Sequence, residues 1–138
     1  MIVLDTNVIS ELMRTAPSAS VLRWVDNLPL EDVYLTSITV AELLYGIVRL
    51  PAGSRRERLE DRLGQMITVD FQARVLPFDT VAATHYADIA AHRASLGRPI
   101  SSADAQIAAV CRCHAATLAT RNIKDFADIA VTLINPWG

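Results

Sequence analysis

The chain has 138 residues, 51% of them hydrophobic, and a formal net charge of −2. This is enough apolar material to close one substantial core without disulfides or a structural metal, and the charge gives no global attraction to nucleic acid. No stretch approaches the ~20 uninterrupted apolar residues of a membrane span, and the N-terminus lacks the charged-then-apolar pattern of a signal peptide, so a soluble, cytoplasmic protein is expected.

The first element in chain order is IVL at 2–4, a short apolar strand that delivers Asp5 and Asn7 at its end. A helical face follows at Val21, Val25 and Leu28, and then a strand, VYLTS, at 33–37. Val40, Leu43, Leu44 and Ile47 mark a second helical face, and Leu59, Leu63, Met66 and Ile67 a third. RVLPF at 74–78 reads as a weaker strand. Two more helical faces follow, one with Ala82, Tyr86, Ile89 and Ala90, the other with Ala103, Ile107, Val110 and Cys111. ATLAT at 116–120 is a buried strand and VTLI at 131–134 an edge one. Strands separated by helices require crossover connections and therefore a parallel sheet. Turn residues fall between the periodic runs, at Pro17-Ser18, Pro51-Ala52-Gly53, Gly97 with Pro99, and Pro136. No repeat or linker interrupts them, so residues 1–138 form a single α/β domain in this reading.

Cys111 and Cys113 sit two apart in CRC, too close on a helix for an unstrained bridge, and read as reduced thiols of a cytosolic protein. The basic residues are twelve Arg and the single Lys124. Arg presents a planar fork suited to phosphate or an acidic partner.

Open parallel sheets bind ligands beyond the carboxyl ends of their strands. Asp5 follows the first strand, Glu42 lies beyond the VYLTS strand, Asp104 stands in the SSAD that opens a helix, and Asp125 follows the ATLAT strand. Capping accounts for two of these singly, since Thr39-Val-Ala-Glu42 and Ser101-Ser-Ala-Asp104 both have capping-box spacing. It does not account for Asp5, a carboxylate at the end of an apolar strand whose nearest basic residue in sequence is Arg14. Carboxylates converging at one sheet edge form a hard oxygen site for Mg²⁺ or Mn²⁺, with helix N-termini keeping them ionised. Such a site suits phosphodiester hydrolysis by a metal-activated water, with no nucleophilic side chain.

Four segments carry a resemblance: LDTNVISE at the N-terminus, TSITVAELLYGI at 36–47, SSADAQIAAV at 101–110 and TRNIKDF at 120–126. In this order and spacing they resemble the motifs of PIN-domain proteins, specifically the VapC-type toxins of toxin-antitoxin modules, including the FitB-like branch. The resemblance implies a three-layer α/β/α fold with a central parallel sheet, and a Mg²⁺- or Mn²⁺-dependent endoribonuclease. It also implies a small VapB-like antitoxin that blocks the active site, a homodimer, and contact with DNA only through the antitoxin. The family's invariant acids fall on Asp5, Glu42 and Asp104, the expected metal ligands, with Asp125 as a further catalytic acid. Thr6, Asn7 and Thr120 match positions that support the acids or the substrate, and Asn122 is a further supporting polar residue that can ligate through its carbonyl or hold a metal-bound water. Many relatives have Asp directly after the TR of the last motif. Here it is Asn122, which adds no charge, so a tightly held second metal is not expected.

His85, Asp88 and His92 share a helical face but read as solvated polar residues. Arg55, Arg56, Arg58 and Arg62, alternating with Glu57, Glu60 and Asp61, read as a charged outer face, and Trp24 reads as core. A nucleotide-binding module is strongly disfavoured by the lack of GxGxxG or GxxxxGK. Asn7 in place of a second acid disfavours an aspartyl phosphotransferase. The rival of a different class is a non-enzymatic domain whose acids only dock a basic antitoxin within a DNA-binding repressor complex.

Overall fold

The computed structural model describes residues 1–138. In chain order the elements are β1 (Ile2–Leu4), α1 (Thr6–Leu12), α2 (Ala19–Asp26), β2 (Val33–Thr36), α3 (Ser37–Val48), α4 (Ser54–Gln65), β3 (Val75–Leu76), α5 (Thr80–Ser95), α6 (Ser102–Cys113), β4 (Thr117–Ala119) and β5 (Thr132–Ile134). The five strands form one parallel sheet in the order β3-β2-β1-β4-β5. The expected weak strands β3 and β5 are its two edges.

Strand alternation divides the core into two layers. Val3 and Leu118 pack on one face of the sheet with Ala82, Ile89, Ile107 and Val110 of α5 and α6. Leu4, Ala119, Val33 and Leu35 pack on the other with Val8, Val21, Leu43, Ile47 and Leu63 of α1 to α4. The result is the expected α/β/α sandwich, with all five strands opening their carboxyl ends on one edge.

Several boundaries differ from the sequence reading. VYLTS stops as a strand at Thr36, because Thr36 is the N-cap of α3 and its hydroxyl accepts from the Thr39 N–H at 3.1 Å. Thr39 therefore lies inside the first turn, and the capping box with Glu42 does not form. Ser101 does cap α6, accepting from the Asp104 N–H at 3.2 Å. The helical face that continued through Met66 and Ile67 breaks at Gln65, and Met66–Asp70 winds as a π turn closed by the Phe71 N–H on the Met66 carbonyl. α1, which carries no long apolar period, begins directly after β1. Asp5 is its N-cap, accepting from the Thr6 N–H at 2.8 Å, so capping does account for part of the residue it was expected to leave unexplained. No helix is long and apolar enough to cross a membrane.

Candidate active site

The chain runs from β1 outward through β2 to β3, then returns to β4 on the other side of β1. The reversal makes the β1/β4 boundary a topological switch point, where side chains diverge and leave a crevice. Asp5 closes β1 at this boundary and Thr120 follows β4. The Thr120 hydroxyl donates to Asp5 Oδ2 at 2.8 Å. Asn7, one residue into α1 past Thr6, donates to the same oxygen at 3.4 Å and to Thr120 Oγ1 at 3.3 Å. Both oxygens of Asp5 therefore have protein donors, and its orientation is fixed. On the β2 side, Thr6 Oγ1 donates to Glu42 Oε1 at 2.7 Å and lies 3.1 Å from Thr39 Oγ1. Asp5, Glu42 and Asp104 line one cleft of about 480 Å³. The sequence expectation that these three acids share one site holds in space.

The three acids make no ion pair. The four ion pairs of the molecule are Arg14–Glu11, Arg56–Glu60, Arg98–Asp128 and Arg112–Asp88, and none includes the three acids. Asp5 is 4% exposed. Its burial pushes the carboxyl up to about 6, against the lowering effect of the Thr120 and Thr6 hydrogen bonds, and the charges of Asp104 and Glu42 add to the rise. Asp104 is also raised, first by burial and then by Asp125 and Glu42, with Ser101 alongside offsetting part of it. Helix N-termini were expected to hold these acids fully ionised, but desolvation and mutual repulsion outweigh them.

The PIN-domain family profile matches residues 2–131. The chain belongs to the PIN-domain family. The toxin FitB of Neisseria gonorrhoeae is 46% identical over 137 residues, 99% of each chain. A VapC ribonuclease, Y4jK of Sinorhizobium fredii, is 44% identical over 99% of this chain and 98% of that protein. Among solved structures, FitAB bound to an IR36 DNA fragment superposes with a TM-score of 0.94 at 44% identity, covering 100% of this chain and 96% of that one. The resemblance to FitB- and VapC-type toxins is thus carried by the whole PIN domain and not by its four motifs alone.

The segment after β4 places the remaining expected residues. The Asn122 N–H donates to Thr120 Oγ1 at 3.0 Å, and Asn122 lines the cleft. Asp125 lies in the short 3₁₀ turn Ile123–Phe126 and is exposed. It is close enough to raise Asp104 but does not line the cleft. The residue that shapes this segment went unnoticed in the sequence. Arg93 of α5 is 5% exposed and donates through Nη1 to the carbonyls of Asp125 at 2.7 Å and Ala127 at 3.3 Å. Its Nε donates to the carbonyl of Arg98 at 2.8 Å. Nothing in the local pattern distinguishes Arg93 from the exposed arginines; its partners lie more than thirty residues downstream or in the α5–α6 turn.

The chemistry of this donor set fits a divalent cation. All its members are hard oxygen ligands, they repel one another, and none is paired with a Lys or Arg side chain. As the side chains stand, no group of three His, Cys, Asp or Glu is gathered tightly enough to grip one ion, so holding a metal requires the carboxylates to close on it. Asp5 is the fixed member, and Glu42, an exposed side chain on α3, the adjustable one.

Elsewhere, Asp88 pairs with Arg112 of α6 at 2.9 Å while His92 is exposed, in agreement with a polar face. On α4, Arg56 pairs with Glu60 at 2.7 Å, and Arg62 donates to the Leu12 carbonyl at 2.9 Å. Trp24 packs partly buried against the α1–α4 core layer. Tyr45 is exposed on α3 with the Arg49 guanidinium over its ring.

Proposed function

We propose that this PIN domain is the toxin of a toxin-antitoxin pair, a divalent-metal-dependent endoribonuclease that hydrolyses RNA phosphodiester bonds at Asp5, Glu42 and Asp104. The observation that carries this reading is three carboxylates, two of them raised by burial and mutual repulsion, in one cleft at the switch point and none of them in an ion pair. Structural ion-pair networks neutralise their acids internally, whereas these three leave their charge for a ligand. Mg²⁺ or Mn²⁺ would be held by Asp5, Glu42 and Asp104, supplying a Lewis acid for the phosphoryl oxygens and a water nucleophile at neutral pH. Asp5 is oriented by Thr6, Asn7 and Thr120 and needs no reorganisation to act as a ligand. Thr6 holds Glu42 on the same network, and Asn122 offers a neutral amide at the cleft wall. Asp125, off the cleft wall, acts on Asp104 through its charge.

The unpaired acids also seat a basic side chain, which is the feature a small antitoxin would use to block the cleft. The DNA-bound FitAB structure supports an assembly in which this chain meets DNA through its antitoxin. Leu44, Tyr45 and Val48, exposed on α3, offer an apolar patch for a homodimer.

Cleavage of a mixed structured RNA by the purified protein tests the reading. Cutting is expected with Mg²⁺ or Mn²⁺, none with EDTA, and at least a hundredfold loss in Asp5→Asn. Cutting that persists in EDTA, or an Asp5→Asn variant with undiminished activity, would contradict it.

A further inference from the structure

The three acids share their cleft with Arg14, Arg121 and Trp137, from the turn after α1, the turn after β4 and the turn after β5, and with Glu11 of α1. We propose that this basic part of the lining is a binding site for the RNA strand beside the scissile linkage, with Arg121 and Arg14 taking a flanking phosphate and the Arg121–Trp137 stack a neighbouring base. The inference rests on the ribonuclease reading above and assigns to that site the part that holds the substrate.

Four observations carry it. First, Arg121 is wired into the acid site by its backbone: its N–H donates to Asn7 Oδ1 at 3.3 Å, and the Thr120 before it binds Asp5. A ligand of Arg121 is thereby placed at a set position relative to Asp5. Second, the Arg121 guanidinium makes no ion pair and no hydrogen bond to protein. It stacks over the Trp137 ring, 5.0 Å from the centroid, a contact that leaves its in-plane donors free.

Third, Arg14 is held only loosely, with its Nη1 3.3 and 3.4 Å from the two oxygens of Glu11, and its side chain is 66% exposed. Glu11 itself is anchored by the Ser18 N–H at 2.9 Å, and this bond, followed by Arg14 and then Arg121, keeps its carboxyl below the usual range. One carboxylate thus faces two guanidinium groups, and a positive charge remains within this trio although the cleft as a whole stays acidic. Fourth, Trp137 is half-buried against the α1–α4 core layer, and its N–H on Asn135 Oδ1 at 2.9 Å fixes the Asn135-Pro136-Trp137 turn. The Arg121 guanidinium over its ring makes a planar stack to which a single-stranded base can add without regard to sequence. Acids that repel phosphate until a cation arrives, beside a cationic and aromatic cluster that attracts it, give a single strand a hold next to the acids.

Fluorescence anisotropy of a labelled, mixed-sequence single-stranded RNA in EDTA at low salt tests this without requiring catalysis or metal. Arg121→Ala is expected to weaken binding about tenfold and to reduce the slope of log affinity against log salt by about 0.7, the value for one phosphate contact on a single strand. Trp137→Leu is expected to weaken binding about fivefold with the slope unchanged, and Arg55→Ala, which removes the same charge from α4 outside the cleft lining, less than twofold. Arg121→Lys keeps the charge but not the fork and should fall between Arg121→Ala and wild type. Thermal melts of each variant identify any that misfold, and Arg121→Gln replaces Arg121→Ala if that variant does. No RNA binding by the wild type, or a loss in Arg121→Ala no larger than in Arg55→Ala, would overturn the proposal. The EDTA and Asp5→Asn cleavage comparison fails or succeeds separately, so a wrong subsite and a wrong nuclease reading are distinguishable.

Discussion

Asp5 combines an ionised role with a site that disfavours ionisation. Its ordinary value of 3.8 rises to about 6 in the folded chain, so the folded state holds the proton more tightly than the unfolded state. Below about pH 4 both states are protonated and no stability is lost. As pH rises from about 4 to 6 the unfolded state releases its proton first, and stability falls by about 3 kcal/mol in total, a loss complete above that window. Asp5→Asn removes the penalty but offers one acceptor where Thr6 and Thr120 need two, which returns about 1–2 kcal/mol of it. Urea melts should therefore find Asp5→Asn more stable than wild type by about 1–2 kcal/mol at pH 8 and less stable by about 1 kcal/mol at pH 4, where the wild-type penalty has largely gone and only the lost acceptor remains. A variant less stable at pH 8 would show that the carboxylate is not under strain. The placement of this residue was legible because an acid ending an apolar strand is conspicuous. Its donors were less so, since Thr120 lies 115 residues away and only the sheet order brings it to Asp5.

At the scale of elements, strands and amphipathic helices were readable from their apolar periods, and helix ends were not. Thr36 and Thr39 are equally good N-cap residues by type, and the choice between them was made by where β2 must stop to pair with β1 and β3. The end of α6 shows the same limit. Ala115 takes a left-handed φ of 51° in a Schellman turn, with the Ala116 N–H on the Cys111 carbonyl at 2.9 Å and the Ala115 N–H on that of Arg112 at 3.2 Å. No glycine announces this turn, whereas Gly97, at φ 71°, marks the equivalent end of α5. Arg93 joins that α5 end to the segment carrying Asn122 and Asp125. Arg93→Met leaves three part-buried carbonyls without their guanidinium donor and is expected to cost about 1–3 kcal/mol in a urea melt, with faster amide exchange over residues 122–127. A loss below about 0.5 kcal/mol, the range of an ordinary surface change, would mean that the segment holds its shape without Arg93.

For the whole molecule, the sheet order converts four separated motifs into one cleft. The parallel α/β class followed from alternation of strands and helices, but the order β3-β2-β1-β4-β5 did not, and it is this order that sets β1 beside β4 at the switch point. The three acids were found by their position after strands and at a helix start. The basic part of the lining, formed by Arg14, Arg121 and Trp137, went unseen because each of its members comes from a turn with no periodic signal. The most direct measurement of the central claim is calorimetric titration of Mn²⁺ into wild type, Asp5→Asn and Asp104→Asn at pH 7.5 and pH 5. Saturable binding is expected in the wild type at pH 7.5. It should weaken at pH 5, where Asp5 is largely protonated, and be lost in both variants. Equal uptake by all three proteins, or none by the wild type at pH 7.5, would contradict the assignment of these carboxylates to a metal.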